Sequence, residues 1–403
     1  MSRISDVRLR LVYDSRAQPT VEATVVTADG FRGVAGAPSG ASTGVHEVQA
    51  FPAGGVSEAL EVGARVLRPA IVGRNVEDQA GFDTVLHELD GTANFSRIGG
   101  NTATALSVAH AMARAAAQGG TLAASLGAPA TPPSWPAIVG NSLNGGRHAI
   151  GGPDIQEFIA FAPEATPARE VPAALAVHRW LGETLHERYP KLALGRGDEG
   201  GWVAPIGNVE ALELLASGCA AVRDRTGGAV YPGLDLAASE FFRDGKYHYA
   251  DRTLDLDGQV EFVEGLVDRY GLRYVEDPFD QEEFGGFARL TASVGTKCLV
   301  VGDDLYTTRR SRLETGLAQR SSNAILIKVN QVGTLTDTLA TVELARRNGV
   351  ATVTSHRSGD LPEGWLAQLA VGFGSAGLKC GLLGGERVAK LNELLRLGAA
   401  AEA

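Results

Sequence analysis

The sequence predicts an α/β protein in which a TIM-like β/α barrel follows a smaller N-terminal α+β domain. Three features predict this arrangement. The first 35 or so residues alternate apolar and polar side chains, as half-buried strands do. A proline-rich segment at 131–136 then interrupts the chain. Beyond it, short apolar runs end in charged or polar residues 23 to 41 positions apart, which suits a repeated strand-plus-helix unit.

The N-terminal elements can be placed one by one. The segments VRLRLVYDS, PTVEATVVTADG and FRGVAG are expected to be strands, with Asp29-Gly30 as a hairpin turn. Ser57–Val72 and Thr102–Gln118 carry apolar residues at helical spacing. The small residues at 38–44 predict a loop. At the other end, we expect a helix near Glu386–Leu397 and an alanine-rich tail that frays.

Composition and charge argue against several classes of function. The net charge of −10, without a Lys/Arg block, disfavours nucleic acid and anionic membranes as partners. No apolar run reaches the roughly 18 residues of a membrane span, and the N-terminus lacks the apolar segment of a signal peptide. Three widely spaced cysteines match neither a disulfide framework nor a zinc site, so we expect a cytoplasmic protein.

Three carboxylates end successive apolar runs of the predicted barrel. Asp235 ends YPGLD, Glu276 lies in LRYVED and Asp303 lies in CLVVGDD. Because the C-termini of barrel strands meet at one rim, these side chains are expected to converge. Carboxylate oxygens are the ligands that Mg²⁺ prefers. Any one of them could instead be a helix N-cap, but three in consecutive units favour a metal site.

Two lysines lie in equally apolar segments, Lys328 in AILIKVNQ and Lys379 in GLKCGLL. Burying an ammonium group is costly. Burial and a neighbouring positive charge lower the pKa of a lysine towards the range of a general base. Two lysines that face one metal-bound carboxylate would stabilise a doubly charged enolate. The alternative is that each lysine buries only its stem and extends its charge into solvent.

Two loops carry candidates for acid chemistry. Glu199, in the turn GDEGG (197–201), would be a general acid if nearby acids raised its pKa. The same pentapeptide is also an ordinary tight turn rich in Asp and Gly. His148, in GGRH, and Glu157, in QEF, allow the same two interpretations.

A further loop suits an anion. His356, Arg357 and Ser358 offer a guanidinium, a hydroxyl and backbone N–H groups within one turn, which is the chemistry of a phosphate clamp. The loop Ser39–Gly44 has glycines that can act as hinges, so it could be a lid that carries an anion or metal ligand.

Taken together, the motifs resemble the enolase (phosphopyruvate hydratase) family. The matching strings follow the family's order from near the first residue to near the last. They include DSRAQPTVE (14–22), PSGASTG (38–44), GDEGG (197–201), VEDPF (275–279), VGDDL (301–305) and SHRSG (355–359). The resemblance implies an enolase-type barrel at 135–403, capped by an N-terminal α+β domain with a lid loop at 1–130.

The resemblance also implies a reaction and its metal. The chain would be a Mg²⁺-dependent lyase that takes the C2 proton of 2-phosphoglycerate, or a close analogue, and eliminates the C3 hydroxyl. Two Mg²⁺ ions per active site are expected. Asp235, Glu276 and Asp303 would bind the first, and Ser42 would hold the second together with substrate. The family also suggests a homodimer that acts on a small phosphorylated substrate.

The remaining site residues take their roles from the same resemblance. Lys328 would remove the C2 proton. Glu199, supported by Glu157, would protonate the departing hydroxyl, and Lys379 would stabilise the intermediate. The phosphate and the hydroxyl of the substrate would be surrounded by His148, His356, Arg357 and Ser358.

Several segments depart from the family's pattern while sparing these positions. Cys380–Gly385 replaces an Ala-Arg-Ser run, and the usual DSRGNPT reads DSRAQPT. One alternative is therefore a paralogue like carboxyphosphonoenolpyruvate synthase, which would join 2-phosphoglycerate to a nucleotide-activated phosphonoformate in phosphonate biosynthesis. Another is a catalytically silent, enolase-like binding protein, which predicts the loss of a metal ligand or a lysine. None is lost.

Overall fold

The N-terminal part of the chain is built on an antiparallel sheet. The computed structural model describes residues 2–41 and 43–402. The sheet contains β1 (Ile4–Tyr13), β2 (Pro19–Thr27) and β3 (Arg32–Gly36), in that order. These are the three strands predicted from alternation. Gly30 has a φ of 85° in the turn between β2 and β3, a conformation that glycine adopts without steric cost.

One long helix covers a face of this sheet. The helices of this part are α1 (Gly55–Val62), α2 (Arg68–Ile71), α3 (Gln79–Asp90), α4 (Gly100–Ala117) and α5 (Leu122–Ser125). A π-helical turn, Gly63–Leu67, joins the first two, so the helix predicted at 57–72 is a continuous helical segment. Helix α4 packs against β2 and β3. A side chain at Gly33 would collide with the α4 backbone at Ala109 and Ala113, so only glycine allows this close approach.

The second part of the chain is a closed eight-stranded barrel. Its strands are β4 (Ala137–Asn144), β5 (Glu157–Ala162), β6 (Tyr231–Asp235), β7 (Tyr274–Glu276), β8 (Leu299–Gly302), β9 (Ala324–Ile327), β10 (Ala351–Ser355) and β11 (Gly377–Gly381). Each strand pairs with the next, and β11 pairs with β4 to close the ring. Short strands at 195–196 and 202–203 extend the sheet beside β4.

Helices follow the barrel strands along the chain. They are α6 (Pro167–Arg188), α7 (Asn208–Thr226), α8 (Leu256–Tyr270), α9 (Phe284–Val294), α10 (Arg310–Gln319), α11 (Leu335–Arg347), α12 (Trp365–Gly372) and α13 (Gly385–Glu402). The prediction of a frayed tail was wrong, because α13 continues through the alanines to Glu402, and alanine is the strongest helix former. Among the described residues, no helix combines the length and the apolar character needed to cross a membrane.

One strand of the barrel is reversed. Strand β5 runs antiparallel to both β4 and β6, whereas the other neighbouring pairs of the ring are parallel. Glu157, the first residue of β5, lies opposite Asn144 and Asp235, the last residues of β4 and β6. The beginning of β5 therefore reaches the rim at which the other strands end, and a side chain there can join theirs.

The turn that follows β1 contains a strained residue. Ala17 is exposed and has a φ of 55°, which costs an L-residue about 1 kcal/mol or more. We expect Ala17→Gly to raise the free energy of unfolding by about 1 kcal/mol, because glycine adopts this conformation freely. Urea denaturation measures the change. Ala116→Gly, inside α4, is the control and should lower stability by about 1 kcal/mol. A loss of stability in both variants would contradict the strain at Ala17.

Candidate active site at the barrel mouth

The three predicted metal ligands meet at one rim of the barrel. Asp235 and Glu276 are the last residues of β6 and β7 and lie opposite each other in the sheet. Asp303 directly follows β8, the next strand along. All three side chains are buried. The structure thus brings together the carboxylates that the sequence placed at the ends of successive strands.

Lys379 lies among these carboxylates. Its side chain is buried in the middle of β11, and its Nζ lies 2.9 Å from Asp235 Oδ2 and 2.7 Å from Glu276 Oε1. The same ammonium is 3.3 Å from Glu157 Oε2. These acids raise the pKa of Lys379 well above its usual value, although burial opposes them. Lys379 therefore carries a fixed positive charge at the centre of the site.

Lys328 faces the same group from the other side. It directly follows β9, is partly buried, and forms an ion pair with Asp303. Burial lowers the pKa of Lys328, as do the nearby charges of Arg357 and Lys379, but the contact with Asp303 outweighs them and the pKa is raised. The charge of Lys328 thus depends on what Asp303 contacts.

Negative charge at this rim exceeds the local positive charge. Burial, together with repulsion from neighbouring acids, raises the pKa of Glu276 to about 8 and that of Asp304 to about 7. Oxygens of Asp277, Asp303 and Asp304 lie within 4.8 Å of one another, close enough to hold one metal ion. Hard oxygen donors with surplus negative charge fit divalent cations such as Mg²⁺. The site therefore has the chemistry of a metal centre.

Asp277 contributes to this cluster in a different way. Its two carboxylate oxygens accept hydrogen bonds from the backbone N–H groups of Asp303 and Asp304, at 2.9 and 2.8 Å. Its own φ is 39°, in the sparsely populated left-handed region. Both oxygens of Asp277 thus orient the residues that follow β8.

A pair of acids, Glu157 and Glu199, lies beside this carboxylate cluster. Glu199 Oε2 is 3.0 Å from His356 Nε2 and accepts a hydrogen bond of 3.0 Å from Asn141 Nδ2. Glu157 lies nearby, and His148 is placed between the two acids. The His148 ring is 3.7 Å from Glu157 Oε1 through Nδ1 and 4.0 Å from Glu199 Oε1 through Nε2. All four predicted residues, Glu157, Glu199, His148 and His356, are therefore brought together.

The two acids of this pair differ in their affinity for a proton. Burial, together with the charge of Glu199, raises the pKa of Glu157 well above its usual value. Burial opposes ionisation of Glu199 as well, but contacts with His356 and His148 and the charge of Arg387 hold the pKa of Glu199 well below its usual value. Neighbouring carboxyls with pKa values driven apart are typical of an acid–base pair. A proton shared by the pair is therefore favoured on Glu157.

The predicted phosphate clamp touches the lid. Ser358 Oγ accepts a 2.5 Å hydrogen bond from the backbone N–H of Ala41. The Arg357 guanidinium donates to both carboxylate oxygens of Glu47, at 3.0 Å each. Ser42, predicted as a ligand of metal and substrate, lies outside the described residues.

The sequence analysis missed several residues of the site. Asn141 contacts Glu199, Gln331 Nε2 donates to Asp303 Oδ1 at 2.9 Å, and Arg387 lies 2.7 Å from His356. Two of them had a local signal. Gln331 follows Lys328 in the segment AILIKVNQ, and Arg387 lies at the start of the helix predicted near Glu386–Leu397. Asn141 is an ordinary polar residue within a strand, and only the fold places it against an acid.

Comparison with known proteins agrees with this geometry. The chain matches the family models "Enolase, N-terminal domain" over residues 4–126 and "Enolase, C-terminal TIM barrel domain" over residues 134–402.

Curated relatives match along nearly the whole chain. The protein named "Enolase" from Methanothermobacter thermautotrophicus is 46% identical over 98% of this chain and 96% of its own length. The protein of the same name from Natronomonas pharaonis is 45% identical over 99% of this chain and 100% of its own length. The one from Picrophilus torridus is 40% identical over 98% of this chain and 98% of its own length. These matches give no support to a carboxyphosphonoenolpyruvate synthase-like paralogue. The chain belongs to the enolase family.

Proposed function

We propose that this chain is a carbon–oxygen lyase that converts 2-phosphoglycerate into phosphoenolpyruvate and water. The observation that carries the proposal is the pairing of a lysine on one side of a buried carboxylate cluster with an acid pair on the other. Such a site can remove a proton from carbon and deliver a proton to a leaving hydroxyl. The names of the similar proteins support the same activity.

The topology supports attack from opposite sides. Lys328 follows β9, and Glu157 begins β5, and these strands are four apart in either direction around the eight-stranded ring. A substrate bound at the centre would present C2 to Lys328 and the C3 hydroxyl to the pair of acids. We therefore propose an anti elimination, in which the proton and the hydroxyl leave from opposite faces.

Lys328 is the proposed base. It must be neutral to accept the C2 proton, so its ion pair with Asp303 must weaken first. The charges of Arg357 and Lys379 lower the pKa of Lys328, and a cation held by Asp303 would weaken the ion pair that opposes them. Lys379 stays charged and lies where it can stabilise negative charge that develops on the substrate's carboxylate.

Glu199 is the proposed acid. The proton that Glu157 holds reaches Glu199 by way of His148, which lies between the two carboxyls. His356 and Asn141 hold the carboxyl of Glu199 in place. The proton of Glu199 leaves with the hydroxyl as water, and solvent returns one proton to the acid pair before the next turnover.

We propose that the cation is Mg²⁺ and that two ions act per site. Asp235, Glu276 and Asp303 would hold the first, and Ser42 would hold the second with the substrate. When bound, the ions would stabilise the doubly charged carboxylate that forms as C2 loses its proton. The raised pKa values of Glu276 and of the neighbouring Asp304 support a cation at this rim, because a divalent cation would offset the repulsion between the acids.

The phosphate is proposed to bind at the loop after β10. Arg357 is bound to Glu47 through two hydrogen bonds, which match the geometry by which a guanidinium binds a phosphate. The incoming phosphate would replace Glu47 on Arg357, with Ser358 as a further donor. Because Glu47 follows the lid loop closely, this exchange would change the contacts that hold the lid.

Three broader features are proposed as well. The division into an N-terminal domain at 1–130 and a barrel at 135–403 is supported by the two family-model matches. A homodimeric state is supported by resemblance to the family, and a cytoplasmic location is supported by the three free cysteines. The net charge of −10 supports the proposal that the chain binds no nucleic acid.

The proposed activity can be assayed directly. With Mg²⁺ and 2-phosphoglycerate alone, we expect the ultraviolet absorbance of an enol phosphate to appear, because the site contains both a base and an acid. The control adds a nucleotide-activated phosphonoformate. Turnover that required this second substrate would contradict the proposal and favour the paralogue.

The roles of base and acid are separable by isotope exchange. Lys328→Ala should lower both C2 exchange in D₂O and elimination by about 10²–10⁴-fold, because both need the base. Glu199→Gln should lower elimination to a similar extent and leave C2 exchange within about threefold, because exchange does not need the acid. Proton NMR follows exchange.

The exposed Lys297 and Glu213 provide controls, Lys297→Ala and Glu213→Gln, which should change neither rate. Equal loss of exchange in both active-site variants would refute the assignment.

The metal site is testable by binding. Asp235→Asn should weaken Mg²⁺ binding, measured by calorimetry, at least tenfold, because it removes a charged ligand from the set. Chelation should abolish activity of the native chain, and added Mg²⁺ should restore it. Asp268→Asn, at an exposed ion pair, is the matched control and should bind Mg²⁺ normally. Unchanged Mg²⁺ affinity in Asp235→Asn would exclude Asp235 as a ligand.

A further inference from the structure

A buried arginine joins the two loops that carry the proposed acid site. Arg387 lies in the first turn of α13 and is fully buried. Its guanidinium donates hydrogen bonds to the backbone carbonyls of Arg357 and Ser358, at 2.6 Å each. It also donates to the carbonyl of Asp198, the neighbour of Glu199, at 3.1 Å. One side chain thus fixes the distance between the loop of Glu199 and the loop of His356.

The same arginine determines which nitrogen of His356 carries a proton. Arg387 Nη1 lies 2.7 Å from His356 Nδ1, and the backbone N–H of Gly381 is 3.4 Å from the same nitrogen. An arginine only donates hydrogen bonds, and so does a backbone N–H, so Nδ1 must accept. The ring proton is therefore on Nε2, which points at Glu199 Oε2, 3.0 Å away.

We infer that Arg387 is a positioning residue for the protonation step, which acts on Glu199 through His356 and through the Asp198 carbonyl. This inference rests on the proposed function. Removing Arg387 would free His356 to place its proton on Nδ1 and would leave Nε2 as an acceptor facing a carboxylate. The loop 197–201 would lose its anchor at the same time. Proton transfer to the hydroxyl would slow, whereas removal of the C2 proton by Lys328, on the other side of the barrel, would not.

A second buried cation, one turn along the same helix, provides a matched control for a purely structural role. Lys390 is also buried, and both cations contact the carboxylate of Asp360, at 3.3 Å from Arg387 and 3.1 Å from Lys390. The hydrogen bonds of Lys390 go to the carbonyls of Leu361, Glu363 and Glu386, away from His356 and Glu199. Loss of either cation removes buried charge beside Asp360, but only the loss of Arg387 changes the acid site.

The test compares Arg387→Lys with Lys390→Met in the full chain. We expect Arg387→Lys to lower elimination by about 10- to 100-fold, the usual effect of losing a residue that orients a functional side chain. Its rate of C2 exchange in D₂O should stay within about threefold of the native chain. Lys390→Met should lower the melting temperature and keep the native ratio of elimination to exchange. Equal loss of exchange and elimination in Arg387→Lys, or a change of that ratio in Lys390→Met, would overturn the inference.

A measurement on the native chain needs neither catalysis nor a folded Arg387 variant. Nitrogen-15 NMR of labelled histidine, with His356 assigned through His356→Gln, should show a neutral ring protonated at Nε2. A proton on Nδ1, or a doubly protonated ring at neutral pH, would overturn the inference even if Arg387→Lys fails to fold. Absence of lyase activity in the native chain would instead count against the proposed function, while the tautomer would still decide the role of Arg387.

Discussion

The arrangement of the whole mouth depends on an imbalance of buried charge. Carboxylates from neighbouring strands lie close together and are shielded from water. Two lysines compensate their negative charge. Burying such groups costs free energy unless each has a partner. The barrel topology imposes this cost, because it brings the last residues of its strands together at one rim. Lys379, with three carboxylates around its ammonium, is the centre of that compensation.

The two lysines contribute unequally to this compensation of charge. Lys379 is surrounded by acids and keeps its charge, whereas Lys328 forms its ion pair with Asp303 and is partly exposed. The number of acids around each lysine thus gives two chemically identical side chains different roles. The same logic separates the pKa values of Glu157 and Glu199, since contacts with His356 and His148 lower only that of Glu199.

Much of the fold and part of the site could be predicted from the sequence. The period of the apolar runs indicated the barrel, and charged residues at run ends indicated the rim, so Asp235, Glu276, Asp303 and Lys328 were found from local pattern. The resemblance then supplied roles that pattern alone left open. Asn141 and Asp277 could not be found in this way, because their effect depends on which distant residue the fold places against them. The reversal of β5 was also missed, since an apolar run has the same composition in either direction.

The reversed strand has a consequence for how the mouth can vary. In a parallel unit the chain leaves the rim into a helix and returns only at the far end of the barrel. Here the segment between β4 and β5 stays at the rim, so residues 145–156 line the mouth beside the acids, and His148 is one of them. Insertions at the exposed tip of this segment, at Ile150 and Gly151, would reshape the entrance and leave His148 in place. The width of the entrance can therefore change independently of the acids inside it.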